Sequence, residues 1–166
     1  SLSDPTPVSR SDVWNIGSDG KAMTAVMIAR LVDRGVLSWE STIGGVLPDM
    51  AGGMRPEYRA ITLLQLLSHT SGLPENIRDE KALNSLFYDE SSASSSERRR
   101  AYIARALQDA PVGRAGKFSY SNTGFLIAAF MAETASKETY ESLMRDEVFT
   151  PLGMTSFLST RTPGPP

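Results

Sequence analysis

The chain has 166 residues, 40% of them hydrophobic, with a formal net charge of −2 and no cysteine. That is enough apolar material for one domain with its own core, and it excludes disulfides, thiolate nucleophiles and cysteine–zinc sites. The single histidine rules out a multi-histidine metal centre, and near-neutral charge offers nucleic acid no basic face, so neither a cofactor nor a nucleic-acid partner is expected.

Residues 1–14 are rich in Pro, Ser and Asp and read as a loop or the tail of a strand. They carry no apolar core of a signal peptide, and no apolar run in the chain reaches membrane-spanning length. Localisation stays open between exported and cytoplasmic. From 21 to 34 nearly every position is apolar (Ala22, Met23, Ala25, Val26, Met27, Ile28, Ala29, Leu31, Val32), which predicts a helix buried all round and central to the fold. Gly35 supplies the left-handed residue that stops it. Between 36 and 60, Gly44-Gly45, Pro48, Gly52-Gly53 and Pro56 predict turns with one short helical stretch. A helix start follows: Thr62 caps, Gln65 completes a capping box, and Ile61 staples onto Leu66.

The serine run 91–96 predicts an exposed loop, leading into a helix over 97–108. Arg98-Arg99-Arg100 reads as a solvated face of that helix rather than a binding patch. Further helices are expected over 122–135 and 137–149, the last placing Tyr140, Leu143, Met144 and Val148 on one face. Alternation beyond three or four residues is missing, so the fold class is mainly α, with long connections.

Three features carry chemistry. Ser18-Asp19-Gly20-Lys21 is an S-x-x-K tetrad at the mouth of the first helix, where residues three apart share a face and Lys21 can approach the Ser18 hydroxyl. A helix amino terminus adds a positive field, and apolar surroundings favour a neutral lysine able to act as base. Asp19 works against this by favouring the protonated ammonium. Tyr120-Ser121-Asn122 places a phenol and an amide before another helix: a proton relay and a substrate grip, or simply an N-cap with a packed tyrosine. His69, in Ser68-His69-Thr70-Ser71-Gly72-Leu73-Pro74, reads as a structural hydrogen-bonding residue at a helix end. A Ser–His–Asp triad is disfavoured because Ile16 stands where a G-x-S-x-G elbow needs glycine.

The run 14–25 around Ser18 and Lys21 resembles the nucleophile segment of class C β-lactamases, their esterase relatives, penicillin-binding proteins and D-aminopeptidases. Ile61-Thr62 through Leu73-Pro74 is similar to that superfamily's "IT…LLSHTSGLP" block. Tyr120-Ser121-Asn122-Thr123-Gly124-Phe125 resembles its second motif, and Pro151-Leu152-Gly153-Met154 its "PLGM" segment. The resemblance implies Ser18 as acylated nucleophile, Lys21 as base, Tyr120 as proton relay and Asn122 as a substrate-binding amide. The Ser18 N–H would form half of an oxyanion hole, and His69 would have no catalytic part.

The superfamily's third motif, K-T-G or H-x-G on a sheet strand, is absent from the 166 residues. The expectation is therefore a single helical domain over 1–166, part of a longer protein: the helical domain of the β-lactamase/transpeptidase-like α+β fold with its antiparallel sheet largely missing. Weak or no hydrolysis by the chain alone is expected, acting on a lactam, ester or D-amino-acid peptide, with self-association through the face that would pack on the sheet. The alternative is a non-catalytic helical module that kept the scaffold and binds a partner.

Overall fold

The computed structural model describes residues 7–9, 12, 14–81, 83, 84 and 93–155. Most of the expected amino-terminal loop, and serines 91 and 92, lie outside them. Helices dominate: α1 (Gly20–Asp33), α2 (Ile43–Val46), α3 (Leu63–Leu67), α4 (Ser95–Ala106), α5 (Asn122–Ser136) and α6 (Tyr140–Met144), which continues as a π-helical turn over Arg145–Phe149. Among the described residues there is no strand, only an isolated antiparallel bridge between Thr42 and Thr62.

Local chemistry sets these boundaries. α1 stops in a Schellman motif: Gly35 sits at φ 72°, its N–H reaches the Val32 carbonyl (2.9 Å) and the Val36 N–H reaches Leu31 (2.9 Å). α3 begins with both arms of the capping box, Gln65 N–H to Thr62 Oγ1 (3.2 Å) and Thr62 N–H to Gln65 Oε1 (3.0 Å). α4 starts two residues before its expected position. Ser94 and Glu97 form a second capping box there, a signal hidden inside the serine run. α6 starts three residues late: Lys137 adopts the left-handed conformation that ends α5, and Thr139 then caps the new helix.

The hub of the fold is α5, not α1. It touches each of the other five helices and buries Ile127, Ala128, Ala129, Phe130, Met131 and Ala132. α1 buries one face only, through Thr24, Met27, Ile28 and Leu31, while Ala22 is exposed and Val26 is 51% exposed. The all-apolar pattern predicted full burial; here nothing among the described residues covers that second face. Trp14, Ile16 and Phe118 are exposed as well.

The arginine run also differs from its reading. Arg100 is solvated, but Arg99 is buried and donates to Glu133 (2.6 Å) and Glu141 (3.1 Å), tying α4 to α5 and α6. With 3.6 residues per turn, one of three consecutive arginines must face inward once the helix packs on α5. The buried Glu133 carboxylate and the part-exposed Glu141 make that tolerable. Another buried carboxylate, Glu147, receives Arg30 (2.7 Å) and Arg34 and fastens the continuation of α6 to the outer end of α1.

Candidate active site

Ser18 is positioned by a tight turn. Asn15 Oδ1 accepts the Gly17 N–H (2.8 Å), Gly17 takes φ 51°, and a 3-10 turn over Gly17–Asp19 runs directly into α1. That left-handed φ suits a residue without Cβ. Lys21, one turn on, donates from Nζ to Ser18 Oγ at 2.9 Å. The spacing of three on a helical face gives this contact without help from elsewhere.

Tyr120 arrives from a distant part of the chain by a backbone clamp. The Val112 N–H bonds Gly72 O (3.0 Å), Gly116 N–H bonds Thr70 O (2.8 Å) and Ser119 N–H bonds His69 O (2.8 Å). Gly72 is required in this clamp: at φ 76°, a Cβ would lie 2.5 Å from the Gly113 oxygen. Ser121 then takes the cap of α5, accepting the Gly124 N–H (3.0 Å) and donating to Pro74 O (2.7 Å). Because Ser121 caps, its neighbours are released from that duty. Tyr120 points out to place its hydroxyl 2.7 Å from Ser18 Oγ, and Asn122 turns into the cleft.

His69 sits just past α3 with φ 58°, a left-handed residue without glycine's freedom. Its Nδ1 accepts the Ser121 N–H (3.1 Å), and its ring stacks on Tyr120 (centroids 4.5 Å) and Phe125 (5.1 Å). Contact with Ser18 is made by Tyr120 and Lys21, so His69 supports the tyrosine and is no part of a triad. Burial first, and then the nearby Lys21, hold the His69 pKa below its usual 6.5, keeping Nδ1 free to accept. Unfolding returns the ring to the ordinary value, so the unfolded chain binds a proton the folded one resists. Stability conferred by neutral His69 is therefore full above about pH 6.5 and is lost as pH falls toward the depressed folded value. Thermal melts at pH 7.5 and 5.5 should show a drop on acidification that is smaller in His69→Gln; equal drops would remove His69 from the account.

The Tyr120 phenol is shifted the other way from a buried tyrosine: hydrogen bonds from Lys21, then Ser18, lower its pKa. Lys21 Nζ also lies 5.0 Å from the Tyr120 ring centroid and 5.8 Å from that of Phe125. Asp19 is exposed and makes no cap bond. The tetrad's amine is thus directed at serine and tyrosine.

From Ser18 a cavity of about 470 Å³ runs inward past Asn122 and Asn76 to Phe125, Leu126, Ala129 and Tyr140. Asn122 Nδ2 donates to Asn76 Oδ1 at 3.1 Å, making a pair of amides on the cleft wall. Sequence reasoning missed Asn76, although it lies only two residues past the Leu73-Pro74 block. Its position is fixed because the preceding Glu75 carbonyl accepts both the Asn122 N–H (2.9 Å) and the Thr123 N–H (3.1 Å). Thr24 and Tyr140 on the cleft wall were also overlooked as site residues. Among the described residues no cluster of His, Asp or Glu is arranged to hold a metal ion.

A helical layer presenting serine and tyrosine hydroxyls and a lysine amine within hydrogen-bond reach, beside an amide-lined cleft, has the groups that serine acyl-transfer chemistry needs. Comparison with known proteins gives the family: the Beta-lactamase family model matches residues 1–164, and the chain belongs to that family. It is 31% identical over 147 residues to penicillin-binding protein 4 of Amycolatopsis lactamdurans, covering 89% of this chain and 36% of that protein. It is 32% identical over 156 residues to the D-alanyl-D-alanine-carboxypeptidase/endopeptidase AmpH of Escherichia coli (strain K12), covering 92% and 38%. Among solved structures, D-alanine carboxypeptidase AmpC of Burkholderia cenocepacia superposes with a TM-score of 0.66 at 26% identity, covering 90% of this chain and 36% of that one. The chain therefore spans under two fifths of the length of these relatives, and it corresponds to the helical part of their fold.

Proposed function

We propose that this chain carries the acylating centre of a serine hydrolase, with Ser18 as nucleophile and D-configured amino-acid peptides or amides as substrates. The observation that carries the reading is Ser18 Oγ lying 2.9 Å from an amine and 2.7 Å from a phenol, at the mouth of a cleft. Ser18 Oγ attacks the substrate carbonyl carbon while its proton passes to Lys21. The tetrahedral oxyanion faces the amino end of α1, where backbone N–H groups and the helix dipole favour negative charge. Collapse breaks the bond to the leaving amine, which takes a proton from Tyr120; Tyr120 recovers one from Lys21. Water then cleaves the acyl-enzyme by the reverse relay.

The lowered Tyr120 pKa suits this loan of a proton, since its phenolate is stabilised by the groups that resupply it. In this reading Asn76 and Asn122, paired on the cleft wall, hold an amide of the acyl group, and Phe125, Leu126 and Ala129 receive its side chain. The preference for D-amino-acid peptides rests on the relatives, one of which is a D-alanyl-D-alanine carboxypeptidase.

The test of the substrate class uses matched thioesters of D- and L-alanyl dipeptides, with intact-mass detection of acyl-Ser18 and colorimetric detection of thiol. Faster acylation by the D-isomer is the expected result. Equal rates, or an L preference, would remove the D-peptide assignment and leave only the acylating centre.

A further inference from the structure

We infer that Tyr140 and Thr24 are positioning residues for the nucleophile turn, joined in a hydrogen-bonded chain that pins the first turn of α1 to α6; the inference rests on the acyl-transfer reading of Ser18. Thr24 lies one turn beyond Lys21 on the same helix. Its hydroxyl donates to the Gly20 carbonyl at 3.0 Å, and its oxygen lies 2.8 Å from the Tyr140 hydroxyl. A threonine has one hydroxyl proton. With that proton on Gly20, Tyr140 must be the donor to Thr24, so the direction of the chain is fixed: Tyr140 O–H to Thr24, Thr24 O–H to Gly20. Burial pushes the Tyr140 phenol up, which keeps the donor proton in place across the working range.

The far end is anchored independently. The Tyr140 ring lies under the Arg99 guanidinium (5.1 Å), and its N–H donates to Glu133 Oε1 at 2.8 Å. Glu133 also holds Arg99 at 2.6 Å and the Ser96 hydroxyl at 3.2 Å. Three helices (α4, α5 and α6) thus meet on one buried carboxylate, and their combined rigidity reaches the peptide between Ser18 and Lys21 through two hydroxyls.

That peptide needs the support. Gly20 is the first residue of α1, it is the weakest helix former short of proline, and α1 has no side-chain cap at Asp19. Ser18 and Lys21 lie on opposite sides of Gly20, so slack there separates the nucleophile from the amine. A misplacement well under a hydrogen-bond length is enough to slow an oriented reaction severalfold to a hundredfold.

The experiment measures fluorophosphonate labelling of Ser18 by intact mass, resolved into reagent affinity and the first-order labelling rate, in Tyr140→Phe, Thr24→Val and Thr24→Ser. The expected result is a roughly tenfold lower rate in Tyr140→Phe and Thr24→Val with affinity unchanged, no further loss in their combination, and near-normal rate in Thr24→Ser. Hydrogen exchange gives a second readout that needs no chemistry at Ser18. The Thr24 amide, which closes the first turn onto Gly20, should exchange about tenfold faster in Tyr140→Phe, with α5 amides unchanged. A normal labelling rate in Tyr140→Phe, or a loss that Thr24→Ser fails to rescue, overturns the inference. If the parent chain is folded but takes no label, the acyl-transfer reading fails by itself. Hydrogen exchange then decides the structural link, and an unchanged Thr24 amide overturns it too.

Discussion

Replacing Lys21 by alanine is expected to slow acylation of Ser18 by about 100- to 10,000-fold, the usual worth of a positioned acid–base group. The reasoning is geometric: Nζ lies 2.9 Å from Ser18 Oγ, and the remaining hydroxyl neighbour, Tyr120, is itself hydrogen-bonded to Lys21. Lys21→Arg separates two explanations. Arginine keeps the positive charge beside the oxyanion but cannot give up its proton at working pH. If Lys21 acts by accepting the serine proton, Lys21→Arg is as slow as Lys21→Ala. Retention of most activity in Lys21→Arg would mean that charge alone is needed. Lys21 is half-buried at the cleft mouth, where its amine meets Ser18 and the Tyr120 and Phe125 rings, so both variants should stay within about 1 kcal/mol of the parent's stability.

Glu133→Ala is expected to be the most destabilising single polar change in the domain, costing about 3–5 kcal/mol. Glu133 is 6% exposed and accepts from Arg99, the Tyr140 backbone and Ser96. Removing it leaves the buried Arg99 guanidinium with Glu141 alone, itself partly solvated. Breaking a buried pair costs far more than the pair contributes relative to an apolar substitute, because the orphaned charge stays behind. Arg100→Ala is the internal control: Arg100 is half exposed and meets Asp49 at 3.5 Å, so its loss should fall within about 0.5 kcal/mol. Urea denaturation of the two variants reads both values. Similar midpoints would show that Arg99 is solvated after all, as the bare sequence suggests.

That contrast marks where the sequence is informative and where it stops. Caps and stops are local chemistry, and Thr62 with Gln65 and Gly35 after α1 announce themselves in a few residues. The second capping box, Ser94 with Glu97, was equally legible and lay hidden only by low-complexity serine. Side-chain facing is not local. Nothing in Arg98-Arg99-Arg100 says which arginine turns inward; that is decided by Glu133, 34 positions away. The apolar surround of α1 predicts burial on all sides, yet Val26 is open because burial depends on what packs against the helix.

The site divides the same way. S-x-x-K is a helical spacing, so the approach of Lys21 to Ser18 follows from the sequence. The approach of Tyr120 depends on the clamp from 69–72 to 112–119, and motif resemblance rather than periodicity is what brought it forward. Asn76 and the Tyr140–Thr24 link carry no motif read from the sequence, and only the packing of α5 and α6 on α1 brings them to the cleft.

The central claim, that this chain already holds an activated Ser18, is tested most directly by intact-mass spectrometry after exposure to a fluorophosphonate and, separately, to a penicillin. Ser18→Ala serves as the control. One adduct per chain, mapped to Ser18 and absent from Ser18→Ala, is the predicted result. A folded chain that takes up neither reagent, or that labels equally in Ser18→Ala, would contradict it.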